Sequence, residues 1–321
     1  MSFELFLSAL KPFSEKGFSK LETYGEKEAY IISSLSPKYE LMIMKDIIKQ
    51  PEIQNCEYSI MQFDINTHKL DIITNFIEQN IISPINFQIT DDSIIINCVS
   101  VHSLGSYLIN SNNRYTFLSI DYQSEIYDLG HRAILVVDNK YYKVYLLDPN
   151  GKASYFNRII NNIDNLIESF VDQYFNMINT IFQTDYKYIK TTIWNNKNIC
   201  INNTSNIKLS SGDCMTISLM LCQIIKNLEI TPETLYTKLK DMSDDEIVSL
   251  IRSYSIGLIE YIAPFGKLNN INHLYNIYEM LKGANTEFNT FIEFNQYLHK
   301  EKEKLPDLYL ELLSAHNISV Y

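Results

Sequence analysis

The segment GHRAILVVDNKYYKVYLLDPNG, residues 130–151, contains the strongest fold signal in this chain of 321 residues. Two strand-like runs rich in apolar residues, 132–137 and 141–147, are separated by Asp138, Asn139 and Lys140. Asp and Asn are typical turn residues, and apolar runs on both sides of such a turn predict a β-hairpin.

The two ends of this hairpin contain a candidate catalytic pair. If Asn139 and Lys140 form a two-residue turn, His131 lies directly opposite Asp148 across the two strands. Their β-carbons would then be about 4.5–5.5 Å apart on one face of the sheet. A carboxylate at that distance binds one imidazole nitrogen, fixes the tautomer and stabilises the imidazolium. A one-residue slip in register would separate the two side chains, so the prediction depends on the turn.

A second segment, LSSGDCMTISLMLCQII at residues 209–225, predicts a buried helix that begins at a cysteine. The pattern is apolar nearly all round from residue 213 to 228, which is typical of a central helix. Ser210 is a candidate cap, and Cys214 lies in the first turn. The free amides and the positive end of the helix dipole favour a thiolate there and can stabilise an oxyanion. Cys222 is predicted to be a packing residue, because cysteine is among the most buried residue types.

The remaining patterns indicate an α+β fold. Short β-branched segments predict strands, and apolar residues that recur at helical spacing predict helices. The predicted strands are residues 85–90, 94–101 and 115–121, and the predicted helices are residues 70–82, 157–184 and 213–228. Thr231-Pro232-Glu233 and Ser243 are start signals for further helices.

Composition and charge exclude several classes of protein. The formal net charge of −11 argues against a nucleic-acid-binding protein, which normally has a basic face. We expect no membrane span, because no apolar run is long enough, and no secretory signal peptide. The scattered cysteines are Cys56, Cys98, Cys200, Cys214 and Cys222. They predict a reducing compartment without a disulfide framework or zinc site, and we expect no metal or cofactor.

In chain order, the candidate residues are His131, Asp148 and Cys214, with Asp213 directly before the cysteine. A base, an orienting carboxylate and a thiol are the parts of an enzyme with a cysteine nucleophile. The pattern resembles the CE clan of cysteine proteases, which includes SUMO-specific proteases, adenain-type viral proteases, bacterial deubiquitinase effectors and YopJ-type acetyltransferases. The resemblance covers about residues 128–228. It implies a papain-like, adenain-type core in which a mixed sheet packs on a central helix, with helical additions.

The chain departs from the clan's pattern around the nucleophile. The clan usually has a Gln five or six positions before the cysteine as an oxyanion-hole donor, and here those positions are Lys208 and Leu209. Asn206 and Ser210 are the candidate oxyanion donors in its place. The residue after the histidine is often Trp in the SUMO-protease branch and is Arg132 here.

The resemblance implies a peptidase that hydrolyses conjugates of ubiquitin or a ubiquitin-like protein through an acyl-thioester on Cys214. In that reaction His131 is the general base and then the acid, and Asp148 orients it. Two alternatives remain open. The first is a YopJ-type acetyltransferase in which Cys214 carries an acetyl group from acetyl-CoA, and the second is a CE-like binding module without turnover.

The expected organisation has three parts. Residues 1–84 form an N-terminal accessory region, residues 85–228 form the catalytic core with a helical insertion at 157–184, and residues 229–321 form a helical C-terminal region. The expected partners are ubiquitin or a ubiquitin-like protein, with host proteins as further targets. The expected location is the cytoplasm, either of the producing cell or of a host.

Overall fold

The described residues form a mixed eight-stranded sheet with helices on both faces, which is an α+β fold. The computed structural model describes residues 2–11, 43–45, 47–50, 56–64, 66–67, 69–78, 85–89, 93–124, 129–149, 163–190 and 214–262. None of the helices in these ranges is long and apolar enough to cross a lipid bilayer.

The strands of the sheet are arranged in the order β2-β1-β4-β3-β5-β6-β7-β8. Their bounds are β1 Cys56–Asp64, β2 Leu70–Glu78, β3 Ile85–Ile89, β4 Ser93–Val99, β5 Tyr115–Ser124, β6 Leu129–Asp138, β7 Lys143–Leu147 and β8 Lys187–Ile189. The β3–β5 and β7–β8 pairs are parallel, and the other neighbouring pairs are antiparallel. The long strands β5 and β6 therefore lie next to each other inside the sheet.

The described helices divide between the two faces of the sheet. They are α1 Ser2–Ala9, α2 Val101–Asn110, α3 Ile163–Phe182, α4 Cys214–Leu228, α5 Pro232–Lys240 and α6 Asp244–Ile262. Helices α1, α4, α5 and α6 share one apolar cluster with Ile134 and Val136 of β6. Helices α2 and α3 share the other cluster with Ala133 and Leu135. The alternation of side chains along β6 thus separates two cores.

Most of the predicted elements are confirmed. The predicted strands 85–90, 94–101 and 115–121 correspond to β3, β4 and β5. The predicted helix at 213–228 is α4, which is buried throughout residues 216–225. The predicted helix at 157–184 is α3, and residues 157–162 lie outside the described residues.

The start signals of the last two helices are also confirmed. The Thr231 side chain caps α5 by accepting a hydrogen bond from the Thr234 amide, and Pro232 occupies the first turn. Ser243 and Glu246 form a reciprocal capping box before α6, in which the Ser243 amide donates to the Glu246 carboxylate at 2.8 Å. Local polar chemistry therefore determines where these helices begin.

The prediction of a helix at residues 70–82 is wrong, because residues 70–78 form strand β2. Apolar residues at Ile72, Ile73, Phe76 and Ile77 fit a helical face, but β-branched residues also favour strands. Antiparallel pairing with β1 decides between the two, and a register irregularity in that pair accommodates the adjacent isoleucines. Among the described strands, β2 lies at one edge of the sheet, which no local sequence signal reveals.

The hairpin forms as predicted, but its turn is longer and its register differs. The turn comprises residues 139–142, and Ile134 pairs with Leu147. The Asp138 carboxylate accepts hydrogen bonds from the amides of Lys140 and Tyr141 at 3.1 and 3.2 Å, which stabilises this turn. The prediction of a two-residue turn with His131 directly opposite Asp148 is therefore wrong by two positions.

The predicted three-part division remains a prediction, but its described parts are closely joined. Strands β1 and β2, from residues 1–84, belong to the same sheet as the core strands, with β1 paired to β4. Helices α5 and α6, from residues 229–321, share an apolar cluster with α4.

A close approach between α2 and α3 depends on a glycine, and we expect Gly105→Ala to destabilise the protein. A β-carbon at Gly105 would lie 2.2 Å from a ring carbon of Phe182. Overpacking costs about 1–3 kcal/mol, and the better helix propensity of Ala offsets about 1 kcal/mol of this. Urea denaturation should show a net loss, whereas Ser106→Ala at the exposed neighbouring position should change little. Equal stability of both variants would contradict this packing.

Candidate functional site

His131 and Asp148 form a nearly buried hydrogen-bonded pair at one end of the sheet. The Nε2 atom of His131 and the Oδ1 atom of Asp148 are 2.8 Å apart. His131 is 8% exposed and Asp148 is 7% exposed. His131 is the third residue of β6, and Asp148 follows the last residue of β7.

The pair forms despite the change in register, because the change is an even number of residues. Each residue of a strand points to the opposite face from its neighbour, so a shift of two positions leaves every side chain on its original face. His131 and Asp148 become diagonal neighbours instead of directly opposed residues. Diagonal pairs remain within reach of long and aromatic side chains.

Helix α5, which packs on the sheet, fixes the position of the backbone at Asp148. The buried side chain of Tyr236 in α5 donates a hydrogen bond from its hydroxyl to the Asp148 carbonyl oxygen at 3.2 Å. A second tyrosine, Tyr145 in β7, donates to the Glu233 carboxylate of the same helix at 3.2 Å. Helix α5 therefore holds the end of β7 in place, directly before the residue that provides the carboxylate of the pair.

The imidazole of His131 stacks on the ring of Tyr122, its direct partner across β5 and β6. The ring centroids are 5.6 Å apart and the planes differ by 12°. The Tyr122 ring in turn lies 5.4 Å from Phe87, which meets Phe170 of α3 edge-on at 5.1 Å. The imidazole is thus the outer member of a row of aromatic rings on the α3 side of the sheet.

Directly beside Tyr122 and His131, the next pair of opposed residues on β5 and β6 forms a salt bridge on the other face of the sheet. Arg132 Nε and Nη2 donate to the two carboxylate oxygens of Asp121 at 2.5 and 2.6 Å. A bidentate arginine–carboxylate pair holds both groups in one geometry. The β5–β6 pairing is therefore reinforced directly beside His131.

The predicted nucleophile, Cys214, is the first residue of α4. Its side chain lies outside the described part of the structure, as do Asp213 and the two candidate oxyanion donors, Asn206 and Ser210. The structure therefore brings His131 and Asp148 together and gives the backbone position of Cys214 at a helix start.

The far end of α4 indicates where Cys214 lies along the sheet. The Arg114 side chain donates to the carbonyl of Glu229, just after α4, at 2.6 Å and to the Asp138 carboxylate at 3.3 Å. The C-terminal end of α4 is therefore next to the end of β6 at Asp138. A helix of 15 residues is about 22 Å long, and the path along β6 from Asp138 to His131 is about 24 Å. If α4 follows β6, against which it packs, it begins at the level of His131.

The sheet imposes a condition on any contact between Cys214 and His131. The apolar residues of α4 pack on one face of β6, whereas the His131 ring lies with Tyr122 on the other. A thiol on the first turn of α4 must therefore reach the imidazole around the end of the strands. Both groups lie toward that end if α4 follows β6.

The other described cysteines are unsuited to nucleophilic chemistry. Cys56, Cys98 and Cys222 are buried thiols, and the prediction that Cys222 is a packing residue is confirmed. Burial raises the pKa of each of these thiols, that of Cys222 well above its ordinary value. Because the thiolate is the reactive form, these three residues are poor nucleophiles near neutral pH.

A groove of about 440 Å³ lies elsewhere, between the β1–β2 edge and helices α2 and α3. Its lining includes Glu57, His102 and the exposed apolar residues Ile72 and Ile181, but no residue of the β6–β7 hairpin. Within the described ranges no group of His, Cys, Asp and Glu side chains is arranged to hold a metal ion. Among the described residues, side chains of catalytic types are in contact at the end of the hairpin, where His131 meets Asp148.

Sequence reasoning missed three residues that support the pair: Tyr122, Tyr236 and the Asp121 partner of Arg132. Tyr122 could have been found only if the pairing of β5 with β6 were known, because its importance comes from the residue opposite. Tyr236 acts from a helix 88 residues away in sequence. No local motif marks either position.

Comparisons with known proteins give no relative for this chain. No family model matches it, and neither the curated proteins nor the solved structures contain a significant match. The hairpin end and the start of α4 are therefore the features that bear on the class of protein.

Proposed function

We propose that this protein is a CE-type cysteine peptidase that hydrolyses conjugates of ubiquitin or a ubiquitin-like protein. Cys214 is the nucleophile, His131 is the general base and then the acid, and Asp148 orients His131. The observation that carries the proposal is the 2.8 Å contact between His131 Nε2 and Asp148 Oδ1 in a nearly buried setting. This pair was predicted from the sequence as the two ends of one hairpin.

The contact assigns a different role to each imidazole nitrogen. The Asp148 carboxylate accepts a hydrogen bond from the Nε2–H group, which keeps the neutral ring protonated at Nε2 and leaves Nδ1 as the basic nitrogen. Nδ1 is therefore the atom that takes a proton from a thiol and later donates it to a leaving amine. The carboxylate stabilises the imidazolium formed in between. Low exposure strengthens this effect, because little water competes for the pair.

The start of α4 supplies the second half of the proposal. The amides at a helix start and the positive end of its dipole stabilise a thiolate on the first residue. The thiolate attacks the carbonyl carbon of the scissile bond, and the amine leaves with the proton from His131. Water, deprotonated by the same imidazole, then hydrolyses the thioester and restores the thiol. The amides near Cys214 are suited to stabilise the oxyanion in both steps.

The coarse α+β architecture supports the proposal of an adenain-type core. A helix that is buried nearly all round packs against a mixed sheet, in which the predicted histidine lies on β6 and the predicted acid directly follows the neighbouring antiparallel strand β7. The choice of ubiquitin or a ubiquitin-like protein as the substrate comes from the resemblance to the clan. Action in a cytosol, either that of the producing cell or that of a host, belongs to the same proposal.

A covalent probe tests the proposal directly. Ubiquitin and SUMO with an electrophile at the C-terminus should label the full-length protein under reducing conditions, and Cys214→Ala should abolish the label. Cys222→Ala is the matched control, because this thiol lies in the same helix with a raised pKa and should not react. Mass spectrometry of the adduct should identify the peptide that contains Cys214. Failure of a panel of ubiquitin-like probes to label a folded protein would contradict the peptidase assignment.

The two alternatives are resolved by the reaction of Cys214 with other reagents. In an acetyltransferase, labelled acetyl-CoA would transfer its acetyl group through Cys214 to protein, and Cys214→Ala would abolish the transfer. In a binding module without turnover, the alkylation of Cys214 against pH would show an ordinary thiol midpoint. Either result would replace the peptidase proposal.

A further inference from the structure

We propose that Tyr122 is a positioning residue, which fixes the plane of the His131 ring and stabilises its imidazolium. The inference rests on the proposed function, since it concerns the base that serves Cys214. It goes beyond that function by assigning a role to a residue outside the triad that acts through His131.

The geometry favours attraction between a charged imidazole and the tyrosine ring. Tyr122 and His131 are direct partners across β5 and β6, with centroids 5.6 Å apart and planes within 12° of parallel. A cation within about 6 Å of an aromatic centroid is attracted by the negative face of the ring. The stack therefore stabilises the imidazolium more than the neutral ring.

Two contacts together determine where the second ring nitrogen points. The hydrogen bond from Nε2 to Asp148 sets one direction within the imidazole plane, and the Tyr122 stack sets the plane itself. With both directions set, Nδ1 has a single orientation. A catalytic base must be held within a few tenths of an ångström of its productive geometry. Without the stack, the ring could tilt about its hydrogen bond to Asp148.

Tyr122 is itself immobilised by packing. It is 2% exposed, and Phe87 and then Phe170 of α3 support its ring from behind. The row continues to Tyr174, whose hydroxyl donates to the Val99 carbonyl at 2.5 Å. A tyrosine ring packed in this way cannot move with the imidazole, so it restricts the tilt of the His131 ring.

Two sets of charged groups lie near His131 among the described residues. Asp148 is the carboxylate in contact with the ring. Arg132 and Asp121, on the opposite face of β5 and β6, form a bidentate pair whose charges compensate each other. The effect of Tyr122 is therefore separable from that of Asp148 by substitution.

The test uses Tyr122→Leu, which removes the ring, and Tyr122→Phe, which keeps it. Two titrations are measured in the full-length protein: the alkylation rate of Cys214 against pH, and the His131 ring C–H resonance by NMR. In Tyr122→Leu we expect the His131 midpoint to fall and the Cys214 midpoint to rise, each by about half to one pH unit. Tyr122→Phe should match the wild type in both titrations.

A matched control separates positioning from general loss of packing. Phe63→Leu makes the same kind of change in the same apolar cluster but outside the row of rings, so it should lower thermal stability without moving either midpoint. A folded Tyr122→Leu protein with both midpoints unchanged would overturn the inference. If Tyr122→Leu lowers the His131 midpoint but wild-type Cys214 titrates as an ordinary thiol, the proposed peptidase function is wrong and the effect of Tyr122 on His131 stands.

Discussion

His131→Ala is expected to lower kcat/KM for release of a group from the ubiquitin C-terminus by about four to six orders of magnitude. The variant lacks the group that takes the thiol proton and returns it to the leaving amine. This loss corresponds to about 5–8 kcal/mol of transition-state stabilisation. The measurement is the initial rate of release of a fluorescent amine from a ubiquitin-derived substrate, compared at equal enzyme concentration.

The control for this prediction is His102→Ala. His102 is an exposed histidine near the start of α2, and its ring contacts Phe182 rather than the hairpin end. Its substitution should leave the rate unchanged. Thermal unfolding must show that His131→Ala is folded, because the variant leaves the buried Asp148 carboxylate without its imidazole partner, at a cost of about 1–3 kcal/mol. A folded His131→Ala protein with more than a tenth of the wild-type rate would remove His131 from the mechanism.

Asp148→Ala is expected to lower the same rate by about three to four orders of magnitude. The substitution frees the imidazole to adopt the wrong tautomer and removes the negative charge that stabilises the imidazolium. Asp148→Asn should cost less, because an amide oxygen can still accept the hydrogen bond from Nε2 while the charge is lost. The measurement is kcat/KM against pH for the wild type and both variants.

The order of the two variants is the informative result. If Asp148 acts by charge and by orientation, activity falls from wild type to Asp148→Asn to Asp148→Ala. Equal losses in the two variants would mean that the charge alone matters. Unchanged activity in Asp148→Ala would show that the 2.8 Å contact is structural and would contradict the proposed triad.

In the hairpin, the turn length was predicted wrongly, yet the predicted contact between His131 and Asp148 is present. The sequence predicts two strands and a turn, but the turn has four residues because the Asp138 carboxylate binds the amides of Lys140 and Tyr141. Turn length depends on such side-chain contacts, which residue types alone do not specify. The pairing of His131 with Asp148 survives because the register moves by two, which matches the side-chain period of a strand.

Strand β2 shows the opposite case, in which the pattern itself is ambiguous. Residues 70–78 have an apolar spacing that fits a helix, yet they pair with β1. Whether such a segment becomes a strand depends on a neighbouring strand with an unpaired edge. The presence of such a neighbouring strand depends on the rest of the sheet and cannot be inferred from residues 70–78 alone.

Local chemistry in the sequence determined the element boundaries where caps and periodicity are strong, the buried nature of the helix after Cys214, and the two hairpin ends that contain His131 and Asp148. These features depend on residues that are close in the chain. The tertiary structure alone decided the sheet order, the stack of Tyr122 on His131, the bond from Tyr236 to the Asp148 backbone and the face of β6 that α4 covers. Each of these is a contact between distant segments, and its free energy exists only once both segments are in place.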